Sequence, residues 1–164
     1  MKLSSAIHAV DGTDDGAAAS ADVEMTFHGA KSGDTIDVCV LGSLDDPTAG
    51  LAIKLTVGDN GAAAASFGGC GSGPDSPAAV ADVTATEVAN QFVIQEVAAG
   101  IRLRILPDRS VADFFVQGGQ VAGTSAWASK LPRAPHASLV SVSSSGSDVT
   151  ADIDVWAMGC GWLN

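Results

Sequence analysis

Hydrophobic and polar positions alternate with a period of two along much of the chain. In Thr35-Ile36-Asp37-Val38-Cys39-Val40-Leu41, the side chains of Ile36, Val38 and Val40 fall on one side, and those of Thr35, Asp37 and Cys39 on the other. A pleated backbone sends successive side chains to opposite faces, so this period predicts a strand with one dry and one wet face. Lys31-Ser32-Gly33-Asp34 supplies a turn before it, and Gly42 with Asp45-Asp46-Pro47 a stop after it. The same alternation sets Val23, Met25 and Phe27 against Asp22, Glu24 and Thr26, and sets Leu51, Ile53, Leu55 and Val57 against Ala52, Lys54 and Thr56. Ile101, Leu103 and Ile105 face in while Arg102 and Arg104 face out. The last strand alternates Val149, Ala151, Ile153 and Val155 with Thr150, Asp152 and Asp154, which sends Trp156 to the exposed face.

Other stretches are weaker. Gly58-Asp59-Asn60-Gly61 predicts a hairpin turn, because Asn-Gly tolerates positive φ, and residues 62–67 are its alanine-rich return strand. Residues 68–77 are a loop dense in glycine and proline. Short strands are expected within residues 80–88, 91–97, 111–116 and 139–142. In the third of these, Phe114 and Phe115 point to opposite faces. Residues 121–136, with Pro132 and Pro135, predict an irregular path. No amphipathic helix of useful length emerges. About eight short strands separated by turns predict an all-β, antiparallel β-sandwich of the jelly-roll kind. An immunoglobulin-type sandwich is the alternative, but its Cys…Trp…Cys landmark is missing. The expected organisation is an extended N-terminal arm over residues 1–20, a sandwich over 21–158 and a tail over 159–164.

The chain has 164 residues, enough for one domain, and a formal net charge of −11. That charge disfavours nucleic acid and anionic lipid as partners. No stretch is long and apolar enough to suggest a membrane span, and the opening residues are too interrupted for a signal peptide, so folding in a cytoplasm is expected. Cys39, Cys70 and Cys160 form no C-x-x-C, and free thiols are the expectation; a Cys70–Cys160 pair is the alternative left open.

Candidate chemistry is sparse. Asp11, Thr13, Asp15, Gly16 and Asp22 match part of a calcium-loop spacing, but Asp22 stands where a bidentate Glu belongs and no helices flank it, so the segment reads as a solvated acidic arm. Asp45, Asp46 and Asp59 read as turn formers. His8, His28 and His136 each stand alone, and no G-x-S-x-G, P-loop or dinucleotide fingerprint occurs. No catalytic residue, metal ligand or cofactor is expected. Arg102 and Arg104 read first as a solvated face paired with nearby Asp, and partner contacts are the alternative. Arg102 and Arg104 project from one strand, Lys130 and Arg133 lie in the irregular segment, and Trp127 and Trp162 are large aromatics in a chain with few. Trp127, Trp156 and Trp162 could alternatively form a platform for stacking sugars.

The run Gly33-Asp34-Thr35-Ile36-Asp37-Val38-Cys39-Val40-Leu41-Gly42-Ser43-Leu44-Asp45 resembles a phrase recurrent in small structural proteins of tailed-bacteriophage virions. Ala99-Gly100-Ile101-Arg102-Leu103-Arg104-Ile105 is similar to a later strand of the same proteins. The resemblance implies a β-sandwich or jelly-roll head decoration (cement) protein at the capsid surface of a virion. Its implied partners are the major capsid protein and further copies of itself, as a trimer. It transfers no catalytic residue. The competing expectations are a glycan-binding module and a tail structural component.

Overall fold

The computed structural model describes residues 6–10, 20–42, 50–70, 83–85, 90–94, 99–108, 111–127 and 138–158. Among the described residues there are twelve strands: β1 (Ala6–Val10), β2 (Ala21–His28), β3 (Thr35–Gly42), β4 (Leu51–Val57), β5 (Ala62–Gly69), β6 (Val83–Ala85), β7 (Asn90–Val93), β8 (Ile101–Asp108), β9 (Val111–Val116), β10 (Val121–Trp127), β11 (Ser138–Ser144) and β12 (Thr150–Ala157). They form two antiparallel six-stranded sheets. Sheet A runs β12-β2-β8-β9-β10-β6 and sheet B runs β1-β11-β3-β4-β5-β7. The chain passes from β2 in sheet A to β3 in sheet B, and later returns beside it from β11 in sheet B to β12 in sheet A. Two adjacent crossovers of this kind join the sheets, and the result is an all-β jelly-roll sandwich.

The inward rows of the two sheets make one core. Val23, Met25 and Phe27 of β2, Ile101, Leu103 and Ile105 of β8, and Phe114 of β9 meet Ile36, Val38 and Val40 of β3 and Leu51, Ile53 and Leu55 of β4. Each is essentially excluded from solvent, as the period of two requires. At roughly 1.5–3 kcal/mol for each fully buried large aliphatic or aromatic side chain, these rows dominate the stabilisation. Phe67 of β5 tilts against Phe114 across the interior, with ring centroids 5.6 Å apart.

Four expectations change. The strand count rises from about eight to twelve among the described residues; β6 and β7 fall on stretches expected to be strands, whereas β1 and β10 lie where none was expected. The segment expected to be an arm contributes β1, which pairs with β11 at the edge of sheet B, while residues 11–19 lie outside the described set. Part of the stretch expected to be irregular is β10, the fifth strand of sheet A. Its inward positions include Gly123 and Ser125, which leave no hydrophobic signal; a Cβ on Gly123 would lie 2.6 Å from Phe67 Cζ, so the ring fills the space that a side chain would occupy. Finally, Cys39 and Cys70 are joined in a disulfide, with Cα atoms 5.6 Å apart, where free thiols were expected; Cys160 is outside the described residues. Cys39 points away from the core, and Cys70 follows β5 two strands away, so the pair becomes visible only once β4 is placed between them.

Candidate functional site

The outer face of sheet A carries a ladder of polar side chains. The register makes it from three neighbouring strands. On β12, Asp152, Asp154 and Trp156 face out; opposite them on β2 stand Thr26, Glu24 and Asp22. Glu24 and Thr26 in turn face Arg104 and Arg102 of β8. The alternation that buries Ile153 and Val155 against the core is what turns Trp156 outward, and the indole is 50% exposed.

Arg104 organises the polar part. Its Nε donates to Asp22 Oδ1 at 2.9 Å and its Nη2 to Asp22 Oδ2 at 2.6 Å, a two-pronged pair that fixes both groups in one plane. The Asp22 side chain is only 18% exposed, whereas Glu24, 3.6 Å from Arg104 Nε, remains half open to solvent. The hydrogen bond from Arg104 to Asp22, then the charge of Asp22, hold the guanidinium above its already high ordinary range; Glu24 adds a smaller pull, and partial desolvation opposes all three. At the end of the same face, His28 Nε2 lies 3.2 Å from Asp152 Oδ2. Farther across, Thr124 donates to Asp113 at 2.5 Å.

Behind β8, Gln117 is buried and takes a positive φ of 50°. Its Oε1 accepts from the Arg102 backbone N–H at 3.3 Å, and its Nε2 donates to the Gly100 carbonyl at 3.4 Å. This clamps the turn that starts the arginine strand. Gly100, at φ +83°, sits where a Cβ would lie 3.0 Å from His28 Nδ1.

Of the residues singled out from sequence, Arg102 and Arg104 are outward on β8 as expected, and the structure pairs Arg104 within the chain. Trp127 ends β10, paired in register with Val83. Lys130, Arg133 and Trp162 lie outside the described residues, as do Asp11, Thr13, Asp15, Asp45 and Asp46. Asp59 accepts from Ser32 Oγ at 2.6 Å and so ties two turns together. The expectation that these arginines pair with a nearby Asp named no partner; for Arg104 the structure supplies Asp22, 82 positions away. The available signal was weak: one acidic and one basic outward position on strands that both looked central. Among the described residues no cluster of three or more His, Cys, Asp or Glu could hold a metal ion, and no helix is long and apolar enough to cross a membrane.

No protein-family model and no curated protein matches the chain. Solved structures do share its architecture. A fructan 1-exohydrolase IIa from Cichorium intybus superposes with a TM-score of 0.53 at 16% identity, over 96% of this chain and 34% of that enzyme. An exo-inulinase from Aspergillus awamori gives 0.49 at 18% identity, over 93% of this chain and 28% of that one. Sheep galectin-11 gives 0.48 at 12% identity, over 92% of this chain and 96% of that one. The chain thus spans about a third of the exohydrolase's length, and at this identity the likeness is one of fold.

Proposed function

We propose that the chain is a carbohydrate-binding β-sandwich module. The observation that carries this reading is the outer face of sheet A, where the half-exposed Trp156 stands opposite Asp22, and Asp22 is locked to Arg104. Sugar recognition uses an aromatic plane for the C–H face of a ring and fixed polar groups for its hydroxyls. The superposition of nearly the whole chain on one third of a fructan 1-exohydrolase supports the reading, since a sandwich of this architecture forms one part of that enzyme. The role in this reading is to bind: Asp22, the least exposed carboxylate of the ladder, is fixed in place by its two-pronged pair with Arg104. Affinity electrophoresis of the purified chain through gels containing inulin, levan or xyloglucan tests it. Retardation in a fructan gel is the expected result, and a folded chain that runs unretarded in all three overturns it.

Attachment to a phage capsid shell, with the major capsid protein as partner and the chain as a trimer, is a second reading. It is favoured by the phrase running from Gly33 to Asp45 and by the strand around Arg102 and Arg104. A trimer in sedimentation equilibrium together with no glycan retention would favour it over the first.

A further inference from the structure

The outer face made by β12, β2 and β8 is predominantly acidic. Asp22, Glu24, Asp152 and Asp154 outnumber Arg104 and its neighbour Arg102 there, on a chain whose formal net charge is −11. Arg104 spends two of its N–H donors on Asp22, which leaves other guanidinium donors and the open oxygens of Glu24 directed outward. Trp156 lies directly across from Asp22, and the Cβ atoms of such opposite pairs stand about 4.5–5.5 Å apart. An aromatic plane, a donor and an acceptor are therefore held side by side on rigid strands before any ligand arrives. Among the described residues β12 is the edge of sheet A, so no described strand lies beside Trp156 on that side.

We infer that this face is a binding site for a neutral polysaccharide. Trp156 stacks on one sugar ring, Arg104 donates to and Glu24 accepts from its hydroxyls, and the surrounding carboxylates exclude uronate- or sulfate-bearing glycans by like-charge repulsion. The inference rests on the carbohydrate-binding reading and adds its location and its selectivity.

The test uses the full chain in gels containing either inulin, which is neutral, or polygalacturonate, which is anionic. Inulin should retard the wild type and polygalacturonate should not. Trp156→Ala should weaken inulin binding roughly tenfold or more, and Trp156→Phe should restore much of it. Arg104→Gln should weaken binding to inulin as well. The double variant Asp152→Asn/Asp154→Asn should narrow the preference for inulin over polygalacturonate. Circular dichroism confirms that each variant is folded, as expected for side chains on an outer face. Inulin binding that survives Trp156→Ala unchanged overturns the site but leaves the module reading standing, as does stronger retardation by polygalacturonate than by inulin. A wild type retarded by neither gel overturns the site, and overturns the module reading as well when levan and xyloglucan also leave it unretarded.

Discussion

At the scale of single residues, Gly123 and Phe67 show how a side chain's absence can specify a fold. The Phe67 ring reaches from sheet B toward Phe114 and lies where a Cβ on residue 123 would be, 2.6 Å from that position. Gly123→Ala should therefore overpack the core and cost about 1–3 kcal/mol, which at this chain length lowers the melting temperature by several degrees in a thermal scan. Ser125, two positions on, is fully buried, and its hydroxyl has no hydrogen-bond partner among the described residues. Ser125→Ala removes that desolvated group and should be neutral or stabilising by about 1 kcal/mol in the same scan. The contrast explains what could be read from sequence. Ile36, Val38, Leu51, Ile53 and Leu103 announce their strands because branched and large apolar residues recur on alternate positions. Gly123 and Ser125 fill equally central positions with nothing that a hydrophobic pattern can register. Trp156 was legible by parity alone, but the Asp22–Arg104 pair beside it depends on which strands become neighbours, and alternation carries no such information.

At the scale of elements, β4 is held beneath a covalent strap. Cys39 of β3 reaches Cys70, just beyond β5, and the bond passes over Gly50 at the entry to β4. The Cys70 backbone N–H donates to the Gly50 carbonyl at 2.8 Å, which draws the same three segments together. Beside the strap, β3 bulges: its register with β11 shifts between Leu139 and Ser141, and Leu41 takes a positive φ of 60°. A Cβ on residue 50 would lie 2.7 Å from Cys70 Sγ and 3.0 Å from Cys39 Sγ, so only glycine fits under the bond. Gly50→Ala should leave Cys39 and Cys70 open to alkylation without reductant, read from their peptides by mass spectrometry. The bond closes a sequence separation of 31, for which loop-closure entropy gives about 3–4 kcal/mol. Cys70→Ser should accordingly lower the melting temperature by about 10 °C. An unchanged melting temperature would mean that the backbone contacts around Gly50 hold β4 without the strap.

At the scale of the whole molecule, the roll is closed by two arches that pass between the sheets side by side. The arch between β2 and β3 contains Gly29, Lys31 and Asp34; the arch between β11 and β12 contains Ser145, Gly146 and Asp148. They interlock through the backbone. Thr35 N–H donates to Ser145 Oγ at 2.8 Å, and Ser145 N–H donates to the Thr35 carbonyl at 3.0 Å. Gly29, at φ +77°, lies so close to the other arch that a Cβ would be 2.7 Å from the Asp148 carbonyl oxygen. Above this contact Lys31 Nζ donates to Asp148 Oδ2 at 2.6 Å, with both side chains largely exposed. The hydrogen bond to Asp148, and then its charge, raise the Lys31 pKa. A raised lysine pKa gives stability that is fully present below the unfolded value of about 10.4 and is lost as pH rises through the folded value. Being exposed, that contribution is small and screened by salt. Lys31→Met should therefore lower the melting temperature slightly at neutral pH and low salt, and the difference from wild type should vanish in strong alkali or high salt. Gly29→Ala places a side chain in left-handed backbone and against a carbonyl, and should cost about 1–3 kcal/mol at every pH and salt concentration. Side-by-side thermal scans separate the two. If the lysine variant proved the more damaging at neutral pH, the arches would be held by charge; the contacts favour the opposite order, in which close backbone fit closes the roll and the ion pair trims its surface.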